Sequence, residues 1–129
     1  MMNRTAGICL SLLLIGSAAF AHSGLKNAAV KARMAAMRGI GASVEILGKM
    51  AKGEAAFDQT AARAAAAAIA GHAAETPALF KAQEDDPKSE AKAEIWGNFA
   101  DFEQKSKELE EIATALSTGI SSPDDLGPA

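Results

Sequence analysis

The side chains able to ligate a metal or act as a nucleophile are few and stand apart. Cys9 is the single cysteine, and His22 and His72 are the two histidines. Cys9 falls inside an export signal, set out below, so the processed chain carries no thiol. That excludes disulfides, thiolate metal sites, cysteine nucleophiles and C-x-x-C redox chemistry. His22 becomes the amino terminus after processing, where amine and imidazole could together chelate copper, but no supporting ligands can be identified for it. His72 lies midway along an alanine-rich tract, and a lone histidine in such a setting reads as a surface or boundary residue. Met34, Met37 and Met50 offer thioethers to copper or iron, yet core packing accounts for their helical spacing, methionine being a common gap-filler. Glu108, Glu110 and Glu111 form a solvated charged face. Glu90 and Glu94 are an i,i+4 pair at a polar helix start, without the apolar surroundings that raise a catalytic pKa. No metalloprotease motif, phosphate-binding glycine loop or nucleophile arrangement occurs. The residues therefore predict no catalytic site and no metal site, and the expectation is a protein that is not an enzyme.

Composition narrows the class further. Arg4 supplies a positive amino-terminal region, Ile8 to Ile15 an apolar core, and Ala19-Phe20-Ala21 an A-x-A cleavage site before His22. Residues 1–21 are thus read as a signal peptide cleaved after Ala21, and residues 22–129 as one exported domain. The apolar core is too short to span a bilayer, and no later stretch qualifies, so no membrane anchor is expected. The processed chain has 12 basic and 16 acidic residues and no basic cluster, with five well-separated aromatics. That argues against nucleic acid or an anionic membrane as partner.

The pattern along the chain is helical. From about Leu25 to Met50 the positions Val30, Met34, Met37, Gly41, Val44 and Gly48 step by four and three, predicting a bundle seam that Ile40, Leu47 and Ala51 broaden. Gly39, Gly41 and Gly48 each weaken that helix, a cost tolerated where another helix or a bound group must come close. Lys52-Gly53-Glu54 ends it. Asp58 or Thr60 caps a second helix, rich in alanine, that is expected to stop at Pro77, with Leu79 and Phe80 folding back as a plug. Lys81 to Glu90 reads as a mobile loop. A third helix from Ser89 or Lys92 to Thr118 carries the seam Ile95, Phe99, Phe102, Ser106, Leu109, Ala113 and Leu116. Its wet side is laced by Asp101 with Lys105, Glu103 with Lys107, and Lys107 with Glu111. Ser122-Pro123-Asp124-Asp125 has the signature of a further helix start, with serine at the cap, proline at the first helical position and an acidic first turn. Ala129 follows about one turn later, so the reading is a chain missing its last helix; a frayed tail is the alternative, since Gly127 and Pro128 are poor helix residues. The fold expected is all-α, an antiparallel up-and-down four-helix bundle with its fourth helix largely missing.

Three stretches carry a specific resemblance. These are Arg33-Met34-Ala35-Ala36-Met37-Arg38-Gly39-Ile40-Gly41, then Met50-Ala51-Lys52-Gly53-Glu54-Ala55-Ala56-Phe57-Asp58, and Lys92-Ala93-Glu94-Ile95-Trp96-Gly97-Asn98-Phe99-Ala100-Asp101-Phe102. In this order and spacing the chain resembles the class II c-type cytochromes, the cytochrome c′ family, across essentially its whole processed length. The resemblance implies a periplasmic protein binding one haem c covalently through a C-x-x-C-H motif on the fourth helix. It further implies a distal face packed with apolar side chains, and a role in electron transfer or in binding small gases such as nitric oxide. Met37 matches the distal residue crowding the open iron face, Arg33 the basic residue near a haem propionate, and Trp96 and Phe99 residues lining or backing the pocket. Met34 stands where the family usually has glutamine or glutamate. The chain contains no C-x-x-C-H, so neither the covalent tether nor the axial ligand can be assigned to it.

Two functions follow as expectations. One is a periplasmic cytochrome c′-type protein whose ancestral role is electron transfer to a redox partner or gas binding, with the covalent haem site absent from this chain. The other is a haem-free helical module that forms a homodimer through its first two helices.

Overall fold

The computed structural model describes residues 26–127, so the signal segment and its cleavage point lie outside the described residues. The order is α1 (Ala28–Ala51), α2 (Gln59–Phe80), α3 (Glu94–Gly97) and α4 (Phe99–Gly119), followed by a 3-10 turn at Pro123–Leu126. No strand occurs among the described residues.

Local chemistry sets most boundaries. The Asn27 side chain accepts from the Val30 N–H to open α1, and Asp58 accepts from the Ala61 N–H at 2.9 Å to open α2. Gly53 closes the α1 end with φ +72°, a left-handed conformation that glycine adopts without strain. Helix α2 runs through Pro77 to Phe80, three residues beyond the expected stop. A proline at 77 removes the N–H that would serve the Ala73 carbonyl four residues back. The buried Ser106 hydroxyl of α4 donates to that carbonyl instead, at 2.6 Å, so the helix survives its proline through a neighbour. Leu79 and Phe80 are consequently its last turn rather than a folded-back plug. The third predicted helix is interrupted: Asn98, at φ −141° and ψ 62°, separates the single turn α3 from α4. Gly97 and Asn98, both weak helix formers, stand at the break.

The packed face of α1 is not the stripe read from the sequence. Val30 is buried, but Met37 is 41% and Val44 52% exposed. Arg33, Ala36, Ser43 and Met50 are buried instead, a face turned by roughly a hundred degrees, one residue's rotation. Helix α2 supplies the reason, since four of its seven buried positions, Ala62, Ala65, Ala66 and Ala73, present little more than backbone, Ile69, Thr76 and Phe80 being the others. Close approach to such a surface selects small residues opposite and turns the large ones aside. Gly39 is the clearest case: a Cβ there would lie 2.2 Å from the His72 Nε2, so the glycine is the notch that admits the imidazole. His72 is half-buried, the boundary residue expected.

At the opposite end of α2, Met50, Ala62, Ala66 and Ile120 form the core cluster, with Leu47, Phe57, Leu116 and Leu126 packed around it. Ile120 is fully buried, and its carbonyl accepts from Arg63 Nε at 2.7 Å and Gln59 Nε2 at 3.3 Å. The predicted helix start at Ser122 takes the form of the 3-10 turn. The Asp125 carboxylate accepts from the Ser121 and Ser122 N–H groups at 2.8 and 2.9 Å, and these bonds hold its pKa below the usual carboxylate value. The turn rests on α1.

Helix α2 packs extensively against both α1 and α4, whereas α1 and α4 make no comparable contact. The three long helices thus occupy three corners of a square, with α1 and α4 on its diagonal. This is the four-helix-bundle architecture without its fourth long member among the described residues. On the wet side Lys105 pairs with Asp101 and Lys107 with Glu111, while the expected pair of Glu103 with Lys107 does not form. A lysine at 107 reaches forward to Glu111 and has one ammonium to share.

Candidate functional site

Arg33 organises the end of the bundle where α2 finishes. It is 2% exposed, and its guanidinium donates from Nε to the Leu79 carbonyl at 2.8 Å, from Nη1 to the Glu84 carbonyl at 3.0 Å and from Nη2 to the Ala82 carbonyl. Carbonyls at a helix C-terminus lack intrahelical donors and carry partial negative charge, so a buried cation is well placed there. The guanidinium carbon also lies 5.0 Å from the Phe80 ring centroid and 5.3 Å from that of Trp96, within cation–π range. Trp96 completes the joint by donating from Nε1 to the Phe80 carbonyl at 2.7 Å.

The segment after α2 is therefore fastened, contrary to its reading as a mobile loop. Asp86 adds a second tie. Its Oδ2 accepts from the Lys26 and Asn27 N–H groups at 2.9 and 3.1 Å, and its Oδ1 from the Lys88 N–H at 2.9 Å. The bonds from Lys88, Lys26 and Asn27 hold the Asp86 carboxyl below its ordinary pKa. Polar composition alone suggested freedom, but these carbonyls and this carboxylate find donors some fifty to sixty residues away.

Between the first half of α1, the fastened segment and the start of α4 lies a cleft of about 520 Å³, within the usual size range of cofactor and ligand sites. Val30, Met34, Met37, Phe80, Ile95 and Phe102 give it apolar walls, Ser89, Glu90 and Ala91 edge it, and Arg33 and Arg38 supply cations. Phe80 and Phe102 meet with ring centroids 5.1 Å apart, and Phe99 backs Phe102 at 5.7 Å. These tilted contacts fix the aromatic wall.

Of the four residues singled out from the sequence, Arg33 and Met37 line the cleft directly. Trp96 stands behind Arg33, and Phe99 behind Phe102, so both support walls rather than form them. Arg38, Phe80, Ile95 and Phe102 were not assigned to a site. Arg38 follows Met37 directly, but its place at the cleft depends on which side of α1 is left uncovered by α2, which the sequence does not show.

The lining fits the faces of a flat apolar ring such as haem, and it includes two arginines. It offers no imidazole or thiol for a metal, because His72 is engaged at the Gly39 notch. Among the described residues no group of histidine, cysteine or carboxylate side chains is arranged to hold a metal ion, and no helix is long and apolar enough to cross a membrane.

Comparison with known proteins gives one match. The family model described as Cytochrome C′ matches residues 28–127, which include every described helix. No curated protein and no solved structure matches the chain.

Proposed function

This chain belongs to the cytochrome c′ family, and we propose that its three long helices are three walls of a haem pocket in a periplasmic electron carrier or small-gas binder. The observation that carries this reading is the apolar cleft between the diagonal helices, with Met37 on one wall and Phe102 on the other. Haem, when bound, would supply an iron able to exchange an electron or take up a gas such as nitric oxide. The chain's own part is to hold and dry the ring. Met34, Met37 and Val30 would cover one face, Phe80 and Phe102 would pack beside it, and Arg33 would keep the far end shut. The sequence carries no C-x-x-C-H, so the covalent tether and axial ligand of haem c have no counterpart in it. The reading is a binder or carrier rather than an enzyme, reached by export through residues 1–21.

Titration of haem into the protein tests it. A saturable Soret change is expected, and Met37→Trp, which fills the cleft from an exposed position, should abolish it while leaving the helical circular dichroism intact. Retention of the change in Met37→Trp would place the haem elsewhere.

A second reading, self-association, is favoured by the exposed Val44 and Ile46 of α1 and Ile112 of α4. It predicts a homodimer by sedimentation at micromolar concentration, formed equally with and without haem.

A further inference from the structure

Two arginines line the cleft, and the structure gives them different work. We propose that Arg38, rather than Arg33, pairs with a carboxylate carried by the ligand of this cleft, so that the site selects a flat apolar ring bearing an acidic side arm. The inference rests on the haem-pocket reading and adds to it the residue that recognises the ligand's charge.

Arg33 is the partner that the family resemblance implies, but all three of its nitrogens are already engaged. Its Nε, Nη1 and Nη2 each donate to a backbone carbonyl, its plane is held against Phe80 and Trp96, and it is 2% exposed. Turning its fork toward a ligand would leave the carbonyls of Leu79, Ala82 and Glu84 without that donor, a loss a new carboxylate bond would have to offset. Arg38 has no such commitments. It is exposed, and among the described residues it makes no hydrogen bond or ion pair. It stands one and four residues beyond Met37 and Met34, on the same side of α1. A ring resting on those thioethers would therefore bring its edge to the guanidinium, whose planar fork suits a carboxylate. Glu90 also edges the cleft and disfavours an anion near itself, which confines the acidic arm to the α1 side.

The test is a fluorescence titration of the full chain with iron-free protoporphyrin IX, a diacid, and with its uncharged dimethyl ester. The wild type should bind the diacid more tightly than the ester. Arg38→Gln should weaken the diacid about tenfold, the scale of one charge-assisted hydrogen bond, and leave the ester unchanged. Arg38→Lys should restore part of the difference. Diacid binding undiminished in Arg38→Gln, or equal loss for both probes, would overturn the assignment while leaving the pocket in place. Failure of the wild type to bind either porphyrin would overturn the pocket reading and the assignment together.

Discussion

Single side chains decide where this fold departs from rules of local sequence. Pro77 should end α2, but the Ser106 hydroxyl takes the place of the missing backbone donor at the Ala73 carbonyl. Ser106→Ala should cost about 1–3 kcal/mol in urea unfolding, the penalty of an unsatisfied buried acceptor. In a Pro77→Ala background the backbone N–H returns, and the same substitution should cost much less; equal costs in the two backgrounds would show that the hydroxyl does not replace the lost donor. Asp86 gives a pH dependence with a definite sign. Its folded pKa lies below the ordinary value, so its stabilisation is complete above the usual carboxylate range and is lost as pH falls through the depressed folded value. The thermal midpoint should drop as pH falls from the usual carboxylate range through the depressed folded value, and Asp86→Asn should flatten that drop because an amide does not titrate there. A wild-type slope unchanged in Asp86→Asn would remove Asp86 from the account.

At the scale of elements, the helices were legible and their facing was not. Capping by Asp58, the glycine stop at Gly53 and the three-four spacing along α1 and α4 are local signals, and they mark α1, α2 and most of α4. The packed face of α1 depends on what α2 presents, and an alanine surface turns Ala36 and Ser43 inward in place of Met37 and Val44. The fastening of the segment after α2 was hidden for the same reason, since Arg33 and Asp86 act across distances that no window spans. Of the glycines expected to admit a close neighbour, Gly39 does so, whereas Gly41 and Gly48 have open space where a Cβ would lie. The contact of Gly39 with His72 predicts a measurable coupling. Gly39→Ala should stabilise a His72→Ala protein by about 1 kcal/mol, the helix-propensity gain, and should stabilise the His72 protein less or destabilise it. The same increment in both backgrounds would mean that the imidazole leaves the notch at no cost.

Taken whole, the molecule is a square of helices in which α2 is the shared neighbour and α1 and α4 face each other across a diagonal. Among the described residues the large exposed apolar side chains, Met37, Val44 and Ile46 on α1 and Leu109 and Ile112 on α4, lie on the two helices that flank α2. Met37 and Phe102 meet the same cleft, and the chain leaving α4 is carried by Ile120 and the 3-10 turn back onto α1. These features agree with the cytochrome c′ membership of residues 28–127. The candidate site was half legible: Arg33 and Met37 were found from the resemblance, while Arg38 and Phe80 needed the α1 facing and the continuation of α2 past Pro77. The central claim is that these walls serve haem. It is tested most directly by the absorption spectrum of the purified protein titrated with haem. The account predicts a saturable Soret change with one haem per chain and, because the sequence carries no C-x-x-C-H, no haem mass on the denatured polypeptide. A spectrum that stays that of free haem at every protein concentration would contradict it.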